Sequence, residues 1–423
     1  MRVLVIGGGG REHAIVWKLL RSQRVNAVHC SPGNAGIARE SGVECVALSL
    51  SAPFDDVALH CRRERVDLVI VGPEAPLVSG LADAMEDAGI PCFGACWQAA
   101  QLEGSKAFTR KLMAEAGVPS HGFEIFEDAK AAQDFYRSRP ERWWIKADGL
   151  AAGKGAVMPG SVEEGCALLA EWLEGGKMGE AGKRVVIEEP LTGTEVSVIA
   201  FAQGETVRCL APSQDHKRLL DGDQGPNTGG MGAFAPSPTL SEAQRAEIER
   251  DFLLPTLRAL KKGGVELCGF LYAGIMMTPK GPRLLEYNVR LGDPEAQVIL
   301  PMMENDLIDV VEAAIQGRLA DVDMRVKPGA AVTVVAASEG YPASPRKGDI
   351  IEGLAEAESA LGDDGKVFHA GTKEADGKIV TSGGRVLAVT ALGSDLRSAS
   401  DRAYEALGHI RWPGMQHRSD IAR

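Results

Sequence analysis

Short apolar runs alternate with helical patterns over the first hundred residues. The apolar runs occupy residues 3–6, 25–30, 68–71 and 90–93. Apolar positions spaced as in an amphipathic helix lie near residues 12–21 and 77–88. Strands that alternate with helices in this order form a parallel sheet with helices on both faces. The sequence therefore predicts an N-terminal α/β domain.

A glycine-rich turn follows the first apolar run, where residues 7–13 read GGGGREH. Glycine allows close backbone approach, and the start of the next helix offers free N–H groups to an anion. The dinucleotide fingerprint G-x-G-x-x-G lacks its third glycine here, because Glu12 or His13 stands in that place. We therefore expect a phosphate on a smaller ligand, with a purely structural turn as the alternative. His13 is expected to cap or pack.

Glu74 follows the third apolar run, at the edge of the predicted sheet where open α/β sheets bind ligands. It could hold a hydroxyl or an amine of a ligand, or it could be a simple turn acid.

Two lysines and a small-residue loop mark the region after residue 103. Lys106 lies at the start of a predicted helix that extends to about residue 116. An apolar strand then delivers Lys146, and the loop 149–155 follows with Lys154 among glycines. Such a loop can close over phosphates through its backbone N–H groups, although glycine follows Lys154 where a Walker A loop has Ser or Thr. We expect contacts to nucleotide phosphates.

A carboxylate and a carboxamide are placed two residues apart in the predicted strand around Glu286 and Asn288. Residues two apart in a strand point the same way, so their oxygens lie side by side, and Arg290 comes next on that face. Magnesium prefers hard oxygen ligands and leaves its other positions to water and phosphate. We expect a metal site here. An edge strand with a solvated polar face is the alternative.

From about residue 327 the pattern changes to apolar runs at 332–337, 366–371 and 385–390, separated by Gly, Asp and Pro turns. These predict a small antiparallel unit, followed by a helix near residues 398–409. We expect an α/β multidomain protein with a parallel α/β domain at 1–103, a central α+β domain at 104–326 and a mainly antiparallel β domain at 327–423.

Net charge, cysteine distribution and the lack of long apolar stretches disfavour several classes of protein. The 423 residues carry a net charge of −12 without a long basic run, which disfavours nucleic acid as the main partner. Eight cysteines are scattered singly, as in a reduced compartment. No signal-peptide pattern opens the chain, and no stretch is apolar enough for a membrane span. We expect a cytoplasmic protein with no membrane partner.

The residues resemble a known family throughout the chain. The motifs that carry the resemblance are GGGGREHA, SPGNAG, IVGPEAPL, GSKAF, IKADGLAAGKG, SQDHKR, GPNTGGMGA, GFLYAG, EYNVRLGDPE, KVFHAGT and SGGRVL. In number, order and spacing they resemble the phosphoribosylamine–glycine ligases, or glycinamide ribonucleotide synthetases, of the ATP-grasp superfamily. Another carboxylate–amine ligase of that superfamily, a non-catalytic nucleotide sensor and a nicotinamide oxidoreductase are the alternatives, although the last would need the missing third glycine and an acid for the ribose.

The resemblance implies that glycine, 5-phosphoribosylamine and ATP give glycinamide ribonucleotide, ADP and phosphate in de novo purine synthesis. Glycyl phosphate is the implied intermediate, Mg²⁺ the implied ion with Mn²⁺ as an alternative, and a monomer or weak dimer the implied assembly. Strand 270–275 offers no further carboxylate, so the number of metal ions stays open.

The resemblance also assigns residues. For ATP they are Lys106, Lys146, Gly153, Lys154, Glu188, Glu189, Leu191, Glu195, Arg218 and Asn227. For the substrates they are Gly9, Gly10, Arg11, Glu12, Glu74, Asp215, Arg290 and Asp293. Arg290 and Asp293 would bind the carboxylate and ammonium of glycine, and with Lys146 they are the catalytic candidates. Glu286 and Asn288 would hold the metal ion.

Overall fold

The computed structural model describes residues 1–139, 141–150 and 155–423. Its N-terminal part is a five-stranded parallel sheet in the order β3-β2-β1-β4-β5. The strands are β1 (Arg2–Gly7), β2 (Ala27–Pro32), β3 (Val43–Cys45), β4 (Leu68–Val71) and β5 (Cys92–Phe93). The helices are α1 (Gly10–Leu19), α2 (Asp55–Glu64), α3 (Glu74–Val78), α4 (Leu81–Asp87) and α5 (Gln101–Gly104). The predicted parallel α/β order is confirmed.

One predicted helix of this domain is wrong in its extent. The pattern at residues 77–88 predicts a single helix, whereas the chain forms α3 and α4 with Gly80 between them at φ +87°. Glycine adopts this left-handed conformation without the steric cost that other residues meet, so it ends one helix and reorients the next. The split leaves Glu74 in the first turn of α3.

The central part contains two four-stranded antiparallel sheets. The first has the order β6-β9-β7-β8, and the second has the order β11-β10-β16-β17. The first sheet consists of β6 (Phe123–Phe126), β7 (Trp144–Ala147), β8 (Ala156–Val157) and β9 (Val185–Glu188). The second consists of β10 (Thr194–Gln203), β11 (Thr206–Cys209), β16 (Cys268–Thr278) and β17 (Gly281–Asn288).

Helices and short strands complete the central part. The helices are α6 (Lys106–Ala116), α7 (Ala129–Arg137), α8 (Val162–Leu173), α9 (Glu242–Ile248), α10 (Leu254–Lys262), α11 (Ala296–Met302) and α12 (Leu307–Ile315). The strands are β12 (Gln214–Asp215), β13 (Arg218–Leu220), β14 (Gln224–Asn227) and β15 (Gly232–Ala235). The hairpin formed by β13 and β14 pairs Arg218 with Asn227.

The strand that carries Glu286 and Asn288 is irregular. Its register on β16 shifts by one residue between the pairs Leu284–Ile275 and Glu286–Gly274, so a bulge lies beside the predicted metal pair. The strand ends at Asn288, and the expectation that Arg290 continues it is wrong. Arg290 instead reaches the interior from the turn that follows the strand.

The C-terminal part is built on a five-stranded sheet in the order β12-β15-β18-β22-β19. The C-terminal part contributes β18 (Ala330–Ala337), β19 (Gly365–His369) and β22 (Arg385–Gly393) to this sheet. Strands β20 (Thr372–Ala375) and β21 (Lys378–Thr381) form a separate two-stranded sheet, and the helices are α13 (Leu354–Leu361) and α14 (Leu396–Leu407). The antiparallel pairing is confirmed. Because β12 and β15 belong to the preceding region, the sheet crosses the predicted boundary at residue 326.

Apolar packing is continuous across the three parts. One buried cluster contains Trp17 of α1, Phe201 of β10 and Phe368 of β19. Trp17 meets Phe368 edge to face with ring centroids 5.8 Å apart, and Phe93 meets Phe270 in the same way at 5.1 Å. This packing joins the three parts around one cleft.

In the described part of the chain, every helix is too short or too polar to cross a bilayer.

Candidate active site

A cleft of about 370 Å³ lies where the N-terminal sheet and the two central sheets meet. It brings together many of the residues that the sequence assigns to ligands. Those on its walls are Glu74, Lys106, Lys146, Glu188, Asp215, Asn227, Glu286, Asn288, Arg290 and Asp293. Most of these side chains are charged, so the cleft suits a polar, charged ligand.

Glu188 anchors one wall of the cleft. It ends β9 and is almost completely buried, and its carboxylate binds Arg110 Nε at 2.6 Å and Lys146 Nζ at 2.6 Å. His121 Nε2 lies 3.0 Å from the same carboxylate. Burial opposes the ionised form, but Lys146 and Arg110 hold the pKa of Glu188 well below its usual value. Glu188 thus fixes the ammonium of Lys146 at the cleft surface.

Arg110 is a site residue that the sequence does not single out. It lies on α6 and is buried, and its guanidinium also donates to the backbone oxygen of Leu285 at 2.7 Å and to Ser120 Oγ at 3.1 Å. It therefore links α6, β9 and the bulge of β17. The only sequence signal is a charged residue on the otherwise apolar face of a helix.

The start of α6 is fixed by Asp148, which directly follows β7. Its carboxylate accepts from Ser105 Oγ at 2.9 Å, from the Ala107 N–H at 3.0 Å and from Arg184 Nε at 2.6 Å. Ser105 itself caps the helix by accepting from the Phe108 N–H. Lys106 is thereby held at the positive end of the helix dipole, facing the cleft.

Lys217 is a second residue of the cleft that the sequence pattern does not single out. It lies between β12 and β13, forms an ion pair with Glu195 and lines the cleft. Although burial favours its neutral form, the carboxylates of Glu195, Asp215 and Glu286 keep the pKa of Lys217 well above its ordinary value. Burial raises the pKa of Asp215 to about 8, against the attraction of Lys217.

Glu286 and Asn288 both line the cleft, as their predicted shared face requires. Burial works against ionisation of Glu286, but Lys217, Lys146, Lys106 and other nearby cations lower its pKa. Asn288 Oδ1 accepts from Arg290 Nη2 at 3.0 Å. In residues 1–139, 141–150 and 155–423, no three His, Cys, Asp or Glu side chains form a metal cage. One carboxylate and one carboxamide suit an ion that takes its other ligands from phosphate and water.

Arg290 is held between two acids from the N-terminal side. Its Nη2 lies 2.8 Å from Glu103 Oε1, and its Nε lies 3.5 Å from Glu74 Oε2. Glu103 also accepts from the Val289 N–H at 2.9 Å. Although burial disfavours charge, Glu103 and Glu74 raise the pKa of Arg290. Arg290 therefore presents a fixed positive charge to the cleft.

Asp293 lies on the opposite side of the same turn. Its Oδ1 accepts from Gln297 Nε2 at 2.7 Å, and its Oδ2 lies 3.3 Å from Arg385 Nη2. Burial opposes ionisation, yet Arg385 and Arg11 lower the pKa of Asp293. The cleft therefore holds a fixed anion near the fixed cation of Arg290, which is the charge pattern that recognises an amino acid.

The glycine-rich turn is closed by its own glutamate. Glu12 is buried, accepts from the Gly9 N–H at 2.6 Å and binds Arg11 Nε at 2.6 Å. Arg11 Nη2 also lies 3.9 Å from Glu74 Oε2. A Cβ atom on Gly10 would come within 2.4 Å of Gln297 Nε2, so this turn packs directly on the segment that carries Asp293.

Three further residues that are predicted to bind ATP, Glu189, Leu191 and Arg218, are not among the residues on the cleft walls. Glu189 is exposed and accepts from the Gly122 N–H at 3.1 Å, and Leu191 is half-buried in the turn after β9. Arg218 is exposed and donates to the Gly225 oxygen at 2.8 Å. Gly153 and Lys154 lie outside the described residues.

A buried hydroxyl network forms the floor of the cleft beside Asp215. Tyr272 OH donates to Glu295 Oε1 at 2.8 Å, and Ser197 Oγ lies 2.8 Å from the tyrosine oxygen. The sequence pattern does not single out these three residues, because they come from three separate segments, β10, β16 and the segment before α11.

Three family models match the chain. They describe phosphoribosylglycinamide synthetase: its N domain matches residues 1–103, its ATP-grasp (A) domain residues 104–296 and its C domain residues 331–423.

Relatives of established name match along the whole chain. The phosphoribosylamine–glycine ligase of Rhodopirellula baltica is 45% identical over 428 residues, covering 99% of this chain and 97% of that protein. The ligase of the same name from Vibrio parahaemolyticus is 46% identical, covering 100% and 97%. The trifunctional purine biosynthetic protein adenosine-3 of Gallus gallus is 46% identical and matches 99% of this chain with 42% of its own length.

Solved structures also match this chain over nearly its whole length. The crystal structure of phosphoribosylamine–glycine ligase from Thermotoga maritima superposes with a TM-score of 0.83 at 33% identity, covering 99% of this chain and all of that one. The biotin carboxylase domain of a Hydrogenobacter thermophilus 2-oxoglutarate carboxylase shares the fold, with a TM-score of 0.72 at 17% identity over 98% of this chain and 91% of that one. The chain therefore belongs to the phosphoribosylglycinamide synthetase family, the phosphoribosylamine–glycine ligases with an ATP-grasp domain.

Proposed function

We propose that the cleft joins glycine to 5-phosphoribosylamine at the expense of ATP, through glycyl phosphate. The observation that carries this proposal is the pairing of two sets of groups in one cleft. Lys106, Lys146 and Lys217 surround Glu286, while Arg290 and Asp293 provide a cation and an anion a short distance away. A site that only binds a nucleotide needs the first set and has no use for the second.

The first step transfers the γ-phosphoryl group of ATP to a carboxylate oxygen of glycine. Arg290 binds that carboxylate and Asp293 binds the ammonium, which orients the attacking oxygen. Lys106 and Lys146 neutralise the phosphates as charge moves towards the leaving ADP. Positioning and charge neutralisation can supply this catalysis without a protein nucleophile.

ATP-grasp enzymes use ATP with a divalent metal ion, and the residues of this cleft fit one. Glu286 and Asn288 would hold the ion, which we propose to be Mg²⁺ because both ligands offer hard oxygen atoms. When bound, the ion supplies charge neutralisation at the phosphates.

In the second step, the amine of phosphoribosylamine attacks the acyl carbon of glycyl phosphate and inorganic phosphate leaves. The amine nitrogen loses a proton in this step and forms the new amide bond. We assign the phosphoribosyl end to the glycine-rich turn with Gly9, Gly10, Arg11 and Glu74. This turn supports the assignment because it packs against the segment of Asp293 and so borders the glycine pocket.

The direct test measures ADP and glycinamide ribonucleotide with Mg²⁺, ATP and glycine. Phosphoribosylamine is generated in place from ribose 5-phosphate and ammonia, and each substrate is omitted in turn. We expect ADP and product in equal amounts, only in the complete mixture. ADP without product, in an assay where the Thermotoga maritima ligase makes product, would refute the assigned substrates.

A further inference from the structure

One arginine of the C-terminal part reaches the proposed glycine pocket. Arg385 is the first residue of β22, and its Nη1 donates to the backbone oxygen of Asp293 at 2.6 Å and to the backbone oxygen of Gly229. Its Nη2 lies 3.3 Å from Asp293 Oδ2. A single planar guanidinium thus joins two separate walls of the cleft, which a lysine could not do with the same geometry.

The second of these walls is the glycine turn after β14. Gly230 has φ +113°, and a Cβ atom there would come within 2.5 Å of Pro294 Cδ, so the turn lies directly against the residue after Asp293. The Gly229 N–H donates to Tyr341 OH at 3.0 Å. Two side chains of the C-terminal part, Arg385 and Tyr341, therefore hold the turn 228–230 in place.

Asp293 has both carboxylate oxygens fixed by protein groups. Gln297 Nε2 donates to Oδ1 at 2.7 Å, while Arg385 faces Oδ2. A carboxylate has about four acceptor positions, so two remain for a ligand ammonium. Without Arg385, the carboxylate would keep one directional partner and could rotate away from the pocket.

We propose that Arg385 is a positioning residue for the amino-acid substrate. It orients Asp293 and the turn 228–230, so the C-terminal part of the chain sets the affinity for glycine. This inference rests on the proposed function, because it takes Asp293 as the group that binds the glycine ammonium. A plain interdomain contact would instead affect stability and leave the affinity for glycine unchanged.

The test compares Arg385→Met and Arg385→Lys with the control Arg402→Met. Arg402 lies on the same C-terminal part and likewise binds a backbone oxygen, that of Leu392 at 3.0 Å, and a carboxylate, that of Asp364 at 3.0 Å. We expect Arg385→Met to raise the KM for glycine by about 100-fold, since a small misplacement of a binding group has an effect of this order. The KM for ATP should change far less than the KM for glycine.

Arg385→Lys should show a smaller rise in the KM for glycine, because the ammonium keeps a positive charge near Asp293. It loses the fork in which Nη1 binds the two backbone oxygens while Nη2 faces the Asp293 carboxylate. Arg402→Met should match the wild type in every kinetic constant. Should Arg385→Met fail to fold, Arg385→Lys tests the same point. Equal KM values for glycine in Arg385→Lys, Arg402→Met and the wild type would overturn the inference.

Direct binding separates this inference from the proposed reaction. Glycine is titrated into each protein by calorimetry in the presence of Mg²⁺ and a non-hydrolysable ATP analogue. Weaker glycine binding in the Arg385 variants, together with no ligation by the wild type, would refute the reaction and support the inference. Ligation by the wild type with equal glycine affinity in all variants would do the reverse. A wild type that neither binds glycine nor forms product would refute both.

Discussion

At the scale of single residues, the cleft is organised by buried charges that neutralise one another. Lys217 lies near Glu195 and Glu286, and Lys146 lies against Glu188. Breaking such a pair leaves an uncompensated charge in a poorly solvated place, which is more costly than the pair itself is favourable. These ion pairs therefore hold Lys146 and Lys217 in position at the cleft without a bound nucleotide.

Replacement of Glu286 by Gln should reduce kcat/KM by about 1000-fold, equivalent to about 4 kcal/mol of transition-state stabilisation. The amide keeps the shape of the side chain but loses the charge that we assign to the metal ion. Steady-state kinetics across a range of Mg²⁺ concentrations measures the loss. Circular dichroism should show an intact fold.

Glu124→Gln is the matched control for this substitution, because Glu124 is an exposed glutamate on another strand of the central part. Its activity should equal that of the wild type. A Glu286→Gln protein with full activity would remove the metal assignment.

Sequence periodicity predicts the residues on the cleft wall that we assign to ligands better than the residues that hold those side chains in place. Glu286 and Asn288 follow from the period of a strand, and both line the cleft. Arg110 and Glu103 are missed, because their partners lie far away in the chain. Lys217 is missed, because it stands among other polar residues in a loop. Arg110, for example, binds Glu188 of β9. A charged residue in a helix pattern normally indicates a solvated face, and only the tertiary fold shows that it is buried.

At the scale of elements, the end of β7 and the start of α6 form one unit. Asp148 accepts hydrogen bonds from Ser105 and Ala107 at the helix start and pairs with Arg184. Both lysines proposed for the phosphates are attached to this unit, since Lys146 is the last residue but one of β7 and Lys106 begins α6. The distance between the two lysines is therefore set by the carboxylate of Asp148, to which we assign no contact with ATP or the metal ion.

Asp148→Ala should therefore raise the KM for ATP as well as lower the midpoint of thermal unfolding. Asp128→Ala is the matched control, because Asp128 caps α7 in the same part of the chain by accepting from the Ala131 N–H at 2.7 Å. Loss of an N-cap costs about 1 kcal/mol of stability. Both variants should be less stable.

Only Asp148→Ala should bind ATP more weakly in steady-state and fluorescence titrations. Equal KM values for ATP in the two variants would show that the link between β7 and α6 does not position the lysines.

The sequence does not predict local irregularities or the least apolar elements. The parallel α/β class of the N-terminal part is predicted correctly, because the longer elements show their period. Strand β3 is missed because it has only three residues, and helix α2 is missed because it buries few of its residues. The split at Gly80 and the bulge at the Glu286 strand depend on single backbone conformations. A glycine in an otherwise continuous pattern is compatible with either a continuous or a broken helix.

At the scale of the whole molecule, the N-terminal and C-terminal parts meet at His13. Its Nδ1 accepts from the His369 N–H at 2.8 Å, and its Nε2 lies 3.2 Å from Glu40 Oε1. Asn34 donates to the backbone oxygens of both Gly8 and His369. The proton of the neutral ring must be on Nε2, because Nδ1 is an acceptor. The histidine is a packing residue, in line with the sequence expectation.

This contact should make stability depend on pH. Burial lowers the pKa of His13 in the folded protein, so the unfolded chain, with a pKa near 6.5, binds the proton more readily. Stability is therefore complete above about pH 6.5 and falls as the pH drops below it. In that window one such histidine contributes a slope of up to about 1.4 kcal/mol per pH unit.

His13→Asn should be less stable than the wild type at pH 7.5 but should lose less stability between pH 7.5 and 5.5. The asparagine can still accept from the His369 N–H and has no proton to take up. Thermal unfolding midpoints across this range measure the difference, with the exposed His409→Asn as control. A His13→Asn protein with the pH dependence of the wild type would show that His13 is not protonated on unfolding.

The number and order of the three parts can be predicted from the sequence, whereas the contacts between them cannot. Motif order and changes of periodicity indicate where the pattern changes. The sheet that combines β12 and β15 with β18 pairs strands that are a hundred residues apart, and nothing local marks that pairing. Arg385 reaches Asp293 for the same reason, since the pairing of β22 with β18 carries it there.

The most direct test of the proposed reaction follows the oxygen atoms of glycine. Glycine labelled with ¹⁸O in its carboxylate is supplied with Mg²⁺, ATP and phosphoribosylamine, and the released phosphate is examined by mass spectrometry. If the carboxylate attacks the γ-phosphoryl group in this cleft, each phosphate formed with product carries one labelled oxygen. Product formed together with unlabelled phosphate would contradict the activation of glycine as glycyl phosphate.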